Sequence, residues 1–409
     1  MARILVLGAG FAGLWSAVSA ARALDEFGIG RDDVQLTLVN RDAWHAIRVR
    51  NYEADLRPVR IALDDVLHPI GVEQIIGEVE GIDFGNRRVA CTVQGKAQLL
   101  SYDRLVFALG SQLVRPVIPG LAEYAFDIDT YEAAARLNAH IAALPERPPS
   151  PGRHIALVIG AGLTGIEAAT ELPSKMRASF ASAGDGAECP RVILADHRAA
   201  IGSDMGAEAC AVIEKALASL QVEALVGASI SEIDASGAQL STGEKILAGT
   251  IVWCAGMRAN PLTGEFPVKH DRLGRIPVDC FMKVEGLHDV FAAGDVACAV
   301  LDDRHASVMS CQHARPMGRF AGHNAVCDLL HRPMLPLRID WYVTCLDLGP
   351  WGAVYTEGWD RCVVATGAAA KRTKQIINCE RIYPPRSADR RQILDAAAPI
   401  VQAPPPQFR

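Results

Sequence analysis

The sequence of 409 residues predicts an α/β fold with two similar parallel-sheet domains and a small C-terminal subdomain. Three observations lead to this prediction: the chain is too long for one ordinary core, a glycine motif occurs twice, and apolar runs of strand length follow each copy in the same order. Half of the residues are hydrophobic and 22% are charged, which is typical of a globular protein.

The glycine motif follows an apolar run in both halves of the chain. Residues 3–13 read RILVLGAGFAG, and residues 154–165 read HIALVIGAGLTG. A stretch rich in small residues comes next in each half and predicts a helix over 14–24 and over 166–176. This order of strand, GxGxxG turn and helix is typical of a unit that binds a dinucleotide.

Further strands repeat in the same order. Second apolar runs occupy 34–40 and 191–197, and third runs, each ending in a small residue and a glycine, occupy 102–111 and 248–257. The two halves are therefore predicted to be copies of one Rossmann-like dinucleotide-binding fold. The glycine dipeptides also make Ala108, Gly110 and Gly256 candidate cofactor-binding residues.

Each glycine of the first motif is expected to have its own role. Gly8 permits a tight turn, Gly10 lets the backbone approach a pyrophosphate, and Gly13 lets the helix pack closely on the strand. The free N–H groups and the positive dipole end of the helix then face the phosphates. The equivalent residues of the second motif are Gly160, Gly162 and Gly165. Either motif alone could also be only a glycine-rich turn before a helix.

The residue at the end of each second strand is expected to contact an adenosine ribose. It is Asn40 in the first copy, which brings no charge, and Asp196 in the second. A carboxylate favours a free 2′-hydroxyl and repels a 2′-phosphate, so we expect NADH rather than NADPH at the second copy. His197 and Arg198 follow directly and could serve a phosphate, which keeps NADPH open as the alternative.

Residues 288–297, HDVFAAGDVA, indicate that the first copy holds a flavin. Gly294 permits close backbone approach, and Asp295 could accept a hydrogen bond from a ribityl hydroxyl. A helix that begins here would direct its positive end at the N1–O2 edge of the flavin. The alternative for Asp295 is a simple helix N-cap.

Taken together, these segments resemble the two-dinucleotide flavoproteins of the pyridine-nucleotide oxidoreductase superfamily, and most of all the type II NADH:quinone dehydrogenases. The resemblance covers roughly residues 2–330 and rests on RILVLGAGFAGL, YDRLVFALGS, VIGAGLTGIEAATEL, IVWCAGMRANPL and VFAAGDVA. It implies FAD and NADH as cofactors, hydride transfer from NADH to FAD, and a quinone-type acceptor. Asn40 and Arg41 also fit the family's segment after the second strand.

The expected domain boundaries follow from the assignment of FAD to the first copy and NADH to the second. A discontinuous FAD-binding domain is predicted over 1–117 and 271–340, an NAD(H)-binding domain over 118–270, and the C-terminal subdomain over 341–409. The proline-rich connector PERPPSPG precedes the second glycine motif, and such a stretch cannot continue a sheet or a helix.

Glu167 and Gln312 are the catalytic candidates that the resemblance implies. Glu167 could fix the nicotinamide carboxamide or relay a proton, or it could only complement the helix dipole. Gln312 could hydrogen-bond a quinone carbonyl on the opposite flavin face, or it could cap backbone groups as a buried amide. Pro316 stands where the quinone motif of the type II enzymes has a second glutamine.

The cysteines separate the chain from the disulfide reductases of the superfamily. Eleven cysteines are scattered with no CxxxxC pair and no metal-ligand spacing, so we expect reduced thiols and no metal site. Two other functions stay open: a soluble oxidoreductase that acts on another small molecule or a carrier protein, and a redox-sensing FAD/NAD-binding protein.

The C-terminal region differs in composition from the rest of the chain. Basic residues between 371 and 391, with tryptophans before them, could contact an anionic membrane surface or a second subunit, or could form a solvated face. We expect a cytoplasmic homodimer, peripheral on the inner face of the membrane if that contact forms. The net charge of −6 argues against nucleic-acid binding. A surface loop is expected at 183–190 and a disordered tail at 402–409.

Overall fold

The computed structural model describes residues 1–184 and 189–408. Its strands in the first part of the chain are β1 (Ala2–Leu7), β2 (Val34–Asn40), β3 (Trp44–Ala46), β4 (Arg60–Ala62), β5 (Glu73–Ile76), β6 (Glu78–Asp83), β7 (Arg88–Val93), β8 (Lys96–Ser101), β9 (Arg104–Phe107) and β10 (Ser111–Leu113). The middle part adds β11 (Ile155–Ile159), β12 (Arg191–Ala195), β13 (Val222–Leu225), β14 (Ile230–Asp234), β15 (Gly237–Leu240), β16 (Lys245–Leu247), β17 (Thr250–Trp253) and β18 (Met257–Ala259). The last part adds β19 (Ile276–Val278), β20 (Val290–Ala292), β21 (Ala297–Ala299), β22 (Val343–Asp347), β23 (Ala353–Glu357) and β24 (Cys362–Thr366).

The helices alternate with the strands of the two parallel sheets. They are α1 (Phe11–Glu26), α2 (Leu63–Ile70), α3 (Leu121–Tyr124), α4 (Tyr131–Ala143), α5 (Leu163–Ser182), α6 (Ala207–Ser219), α7 (Cys311–Leu329), α8 (Gly367–Ile376) and α9 (Arg390–Ala396). Helices α1 and α5 begin directly after the second glycine of each motif, three residues earlier than their apolar pattern predicts.

The two parallel sheets confirm the predicted repeat. The first has the strand order β20-β9-β1-β2-β5, and the second has the order β13-β12-β11-β17. In both, the strand before the glycine motif pairs with the second and third predicted strands: Leu7 lies opposite Val39 and Phe107. The equivalent Ile159 lies opposite Ala195 and Trp253. Central strands buried on both faces explain the continuous apolar runs of the sequence.

A two-stranded antiparallel ribbon connects the parts of the chain that contain these sheets. Strand β10 pairs with β18, and Gln112 lies opposite Arg258. Every strand of the first sheet falls within 1–117 and 271–340, and every strand of the second falls within 118–270. On this basis we propose an FAD-binding domain over 1–117 and 271–340, an NAD(H)-binding domain over 118–270 and a C-terminal subdomain over 341–409.

The helix predicted to begin at Gly294-Asp295 is absent there, and this prediction is wrong. The chain makes a short 3-10 turn at Gly294–Val296 and then continues as β21, which pairs in parallel with β19. The long helix, α7, begins only at Cys311. The residues after Asp295 therefore satisfy their backbone groups in a sheet ladder rather than in a helix.

The C-terminal segment packs against both halves of the molecule. Strands β22–β24 form an antiparallel sheet beside α5 and α8, and α9 packs on α1 and α2. Leu394 of α9 belongs to the core of the first sheet, while Ile382 belongs to the core of the second. The predicted disorder of the tail is wrong over residues 402–408, because Pro405 is buried and Thr373 Oγ1 donates to Pro406 O at 2.9 Å.

One further expectation concerns an exposed segment. Part of the predicted surface loop at 183–190 lies outside the described residues, since these resume at Cys189. Among the helices that the structure describes, none combines the length and the apolar character needed to cross a bilayer. All eleven cysteines are free thiols, as the sequence predicts.

Candidate functional site

Both glycine motifs adopt the same turn at the carboxyl end of the first strand. Gly8 has φ = 93° and Gly160 has φ = 102°, values that favour glycine because it has no Cβ. Each turn is closed by the same backbone hydrogen bond: Gly8 N donates to Val39 O, and Gly160 N donates to Ala195 O, both at 2.8 Å. The internal repeat of the sequence is therefore a repeat of backbone geometry.

The last glycine of each motif sits where the helix crosses its own turn. A Cβ at Gly13 would lie 1.8 Å from Gly8 O, and a Cβ at Gly165 would lie 1.8 Å from Gly160 O. No side chain fits at either position without moving backbone atoms. This close packing directs the amino ends of α1 and α5, which begin after Gly10 and Gly162, out of the sheets.

The polar residue at the end of each second strand holds the glycine turn. Asn40 Oδ1 accepts from Ala9 N at 3.0 Å, and Asp196 Oδ2 accepts from Ala161 N at 2.6 Å. The other oxygen of Asp196 accepts from Arg198 N at 2.8 Å. The two copies thus differ mainly in charge, with an amide in the first and a carboxylate in the second.

An outer cavity of about 650 Å³ opens at the carboxyl end of the first sheet. The predicted residues that line it are Gly8, Gly10, Asn40, Arg41, Ala108 and Gly110. Arginines and carboxylates both line it, and Arg60 stacks on the Tyr131 ring at 3.5 Å from the ring centroid. The first turn of α1 carries no acidic side chain, so its free N–H groups face the cavity without a carboxylate of their own helix.

An inner cavity of about 250 Å³ continues from the outer one past Gly10, Ala108 and Gly110. Both halves of the chain line it: the first contributes Gly294 and Asp295, and the second contributes residues after its glycine motif and after its third strand. These second-half residues are Thr164, Trp253, Cys254 and Met257. The predicted Gly256 lies beside them with φ = 82°, and its carbonyl accepts from Val114 N.

A polar network forms one side of the inner cavity. Oδ2 of the half-buried Asp295 accepts from Ser111 Oγ at 2.6 Å, and Arg48 Nη1 donates to the same hydroxyl at 3.0 Å. Arg48 also forms an ion pair with Asp129. Burial raises the pKa of the Asp295 carboxyl, while Ser111 and Arg48 oppose this. Arg48, Ser111 and Asp129 are not among the residues predicted from the sequence, and only Arg48, in RVRN, gave a visible signal.

Helix α7 supplies the helix end that the sequence placed at Asp295. Ser310, Cys311 and Ala314 at its amino end line the inner cavity. Two glycines let α7 cross α1 closely, since a Cβ on Gly318 or Gly322 would overlap the α1 backbone. A helix dipole does therefore point at the cavity, but it belongs to α7, which begins at Cys311 and not at Asp295.

Two cysteines line the inner cavity. Burial raises the pKa of Cys254 to about 12 and also raises the pKa of Cys311. Both thiols are therefore protonated at neutral pH and are poor nucleophiles, as expected for packed cysteines.

Glu167 does not line either cavity. It lies in the second turn of α5, is 7% exposed, and forms an ion pair with Lys374 Nζ at 2.7 Å. Its Oε1 also accepts from Asp347 N at 3.1 Å. Burial raises the pKa of Glu167, and the ammonium group of Lys374 opposes this.

Gln312 lies one residue into α7, next to the inner cavity. Its carboxamide forms two hydrogen bonds with the backbone of Val343: Nε2 donates to the carbonyl at 3.0 Å, and Oε1 accepts from the N–H at 3.3 Å. The side chain therefore couples α7 to β22, in the way that a buried capping amide does.

These features define a class of protein. Two glycine turns with free helix ends, an outer cavity with several arginines and one inner cavity shared by both halves fit two dinucleotides whose reactive ends meet. The inner cavity is lined mainly by apolar groups, and its half-buried acceptor, Asp295, suits a ribityl hydroxyl. The residues present thus fit FAD in the first half and a nicotinamide dinucleotide in the second.

The chain belongs to the family of pyridine nucleotide-disulphide oxidoreductases, whose sequence model matches residues 2–318. It is an NADH dehydrogenase-like oxidoreductase of this FAD- and NAD(P)-binding family.

Individual relatives place the chain within the family. It is 53% identical over 405 residues to an NADH dehydrogenase-like protein of Mycobacterium tuberculosis, covering 99% of this chain and all of the relative. It is 27% identical to the demethylphylloquinone reductase of Synechocystis, with 86% of each chain covered. The structure of NDH2 from Plasmodium falciparum in complex with NADH matches with a TM-score of 0.78 at 12% identity, covering 97% of each chain, and supports the fold.

Proposed function

We propose that this protein oxidises NADH and passes the electrons to a quinone. The observation that carries the proposal is the inner cavity, where the ends of both dinucleotide sites meet. Relatives at 26–28% identity that are named type II NADH:quinone oxidoreductases support the acceptor. Bound FAD would supply the two-electron carrier between donor and acceptor.

The chain's own residues position the cofactors. The amino end of α1 and the arginines of the outer cavity, Arg41 among them, would neutralise the diphosphate of FAD. Asn40 would contact the adenosine ribose, and Asp295, oriented by Ser111 and Arg48, would accept from the ribityl chain. Bound in this way, the flavin would occupy the mainly apolar inner cavity.

The second glycine motif serves the coenzyme. Gly162 and the two residues after it are exposed at the amino end of α5, so a diphosphate can reach the free N–H groups there. Asp196 stands at the end of β12, where its carboxylate favours a ribose without a 2′-phosphate. NADH is therefore the proposed coenzyme.

Replacing Asp196 by alanine is expected to raise the KM for NADH by about tenfold, because one or two charge-assisted hydrogen bonds to the ribose are lost. Asp196→Asn is the control, since it keeps an acceptor for Ala161 N but removes the charge. In Asp196→Asn the ratio of kcat/KM for NADH to kcat/KM for NADPH should be lower than in the wild type. A native protein that already prefers NADPH would contradict the assignment.

The acceptor is tested by separating the two half-reactions. Anaerobic stopped-flow mixing with NADH measures flavin reduction, and subsequent mixing with a short-chain quinone measures reoxidation. Fast reoxidation by quinone supports the proposal. Fast reoxidation only by ferricyanide or a carrier protein favours the soluble oxidoreductase, and no reoxidation within seconds favours the redox sensor.

Gln312 gives a second test of the acceptor side. In Gln312→Ala we expect reoxidation by quinone to slow by about tenfold, with flavin reduction by NADH nearly unchanged, if the carboxamide also serves the acceptor. Since the side chain also clamps Val343, a thermal unfolding scan accompanies the measurement. Equal losses in both half-reactions would assign Gln312 to the clamp alone.

Peripheral membrane contact and a homodimer are further proposals. Quinone-reducing relatives support the membrane contact. The basic C-terminal residues support it less than the sequence indicates, because Lys374 pairs with Glu167, Lys371 pairs with Asp347, and Arg381 donates to tail carbonyls. Vesicle co-sedimentation with anionic and neutral lipids measures the contact, and light scattering measures the oligomeric state.

A further inference from the structure

A third cavity lies between α7 and the C-terminal segment, and we call it the arginine cavity after Arg315 and Arg319, which line it. It encloses about 70 Å³ and adjoins the inner cavity through Cys311, which lines both. This volume has room for several water-sized groups. Much of its wall is apolar, with Trp341 and Ile382 among the lining residues.

Two guanidinium groups in this wall are buried without a counter-ion. Arg315 is 7% exposed and Arg319 is 2% exposed. The Nε atoms of both, and Nη2 of Arg319, are buried with no hydrogen-bond partner. Among residues 1–184 and 189–408, no carboxylate forms an ion pair with either side chain, and the positive charge of Arg315 lowers the pKa of Arg319 further.

The packing of these arginines leaves their N–H edges free. Both stack on the buried ring of Trp15, with guanidinium carbons 5.1 Å and 4.3 Å from its centroid. This contact uses the faces of the guanidinium groups, whereas their N–H bonds point outward in the plane. Burial lowers the pKa of Arg315 to about 10 and of Arg319 to about 9, so both stay charged at neutral pH. Arg381 adds a third cation to the wall.

We propose that the arginine cavity binds an organic carboxylate with a small apolar body. The planar N–H edges of Arg315 and Arg319 match the two oxygens of a carboxylate, which would neutralise the buried cations. The apolar body would pack against Trp341 and Ile382. A buried cation pair that has no partner in the chain is costly to maintain, and a ligand that binds only the folded state offsets that cost. The cavity lies outside the two glycine turns, but Gln312, which we propose as an acceptor contact, also lines it, as does Pro316. The inference therefore adjoins the proposed function, and benzoate binding in the absence of NADH and quinone tests it separately from the acceptor.

The test is calorimetric titration of the purified, FAD-loaded, oxidised protein with benzoate, in the absence of NADH. Benzamide is the matched uncharged probe, and inorganic phosphate is the probe for a simple anion site. We expect saturable binding of benzoate and binding of benzamide weaker by about tenfold or more, because the charge-assisted hydrogen bonds are lost. Equal binding of benzamide, no saturable binding of benzoate, or phosphate binding tighter than benzoate would overturn the proposal.

Variants locate the site. Arg319→Met keeps the packing on Trp15 and should lose benzoate affinity by about tenfold or more, while the free protein is as stable as wild type or more so. Arg332→Met is the matched control, because Arg332 also stacks on an aromatic ring, that of Phe27, but is exposed and lies outside the cavity. If Arg319→Met fails to fold, Arg315→Lys keeps the charge and removes the planar fork, and it should weaken benzoate binding. Unchanged affinity in the arginine-cavity variant that folds would refute the site.

Discussion

Replacing Lys374 by methionine is expected to lower the free energy of unfolding by about 3–5 kcal/mol, the cost of leaving a buried charge without its partner. Lys374 Nζ lies 2.7 Å from Glu167 Oε1 and also donates to Cys345 O at 2.9 Å. Both side chains are about nine-tenths buried, so water cannot replace the lost partner. Urea unfolding followed by circular dichroism measures the change.

The pH dependence of this effect identifies its cause. In the Lys374→Met variant only the hydrogen bond from Asp347 N opposes the burial that raises the pKa of Glu167, so the carboxylate is destabilising at high pH. As the pH falls through that raised pKa, Glu167 becomes neutral and the difference from wild type should shrink. A difference that does not change with pH would show that lost packing, and not lost charge, destabilises the variant.

The double variant Glu167→Gln, Lys374→Met separates structure from catalysis. It should recover most of the stability, because neither buried charge remains. If NADH oxidation recovers together with stability, Glu167 acts only through its ion pair. If stability recovers but the rate of flavin reduction by NADH stays low, the catalytic role predicted for Glu167 is supported.

Gly13→Ala is expected to yield protein that purifies with little flavin, whereas Gly165→Ala should retain FAD but bind NADH poorly. Each new Cβ would lie 1.8 Å from a backbone oxygen of its own glycine turn, so the helix must move away from the strand. Overpacking of this kind costs about 1–3 kcal/mol, and a comparable loss of binding energy weakens affinity by about tenfold to a hundredfold. The flavin absorbance per chain and titration with NADH measure the two effects.

The two variants control each other because the local clash is the same in both. Loss of flavin in both, with unchanged secondary structure, would mean that the second motif does not serve the coenzyme. Full flavin content in Gly13→Ala would remove α1 from the FAD site. The comparison therefore tests the assignment of the two halves as well as the geometry.

The sequence by itself determined the two parallel sheets and the phosphate-binding turns. Central strands buried on both faces must be continuously apolar, and the turns and helix crossings require glycine at fixed positions. These constraints act over a few residues, so RILVLGAGFAG and HIALVIGAGLTG display them directly. The sequence also indicated the polar residue at the end of each second strand. In the structure Asn40 and Asp196 occupy equivalent positions there.

Only the tertiary structure decided which distant side chains meet. Arg48 contacts Ser111 and Asp129 at one side of the inner cavity, although they lie 63 and 81 residues from it along the chain. Lys374 forms its ion pair with Glu167, which lies 207 residues away along the chain. The helix that faces the inner cavity likewise begins at Cys311, because the residues after Asp295 join a sheet first. Such pairings depend on the relative orientation of packed elements, and local sequence patterns do not specify that orientation.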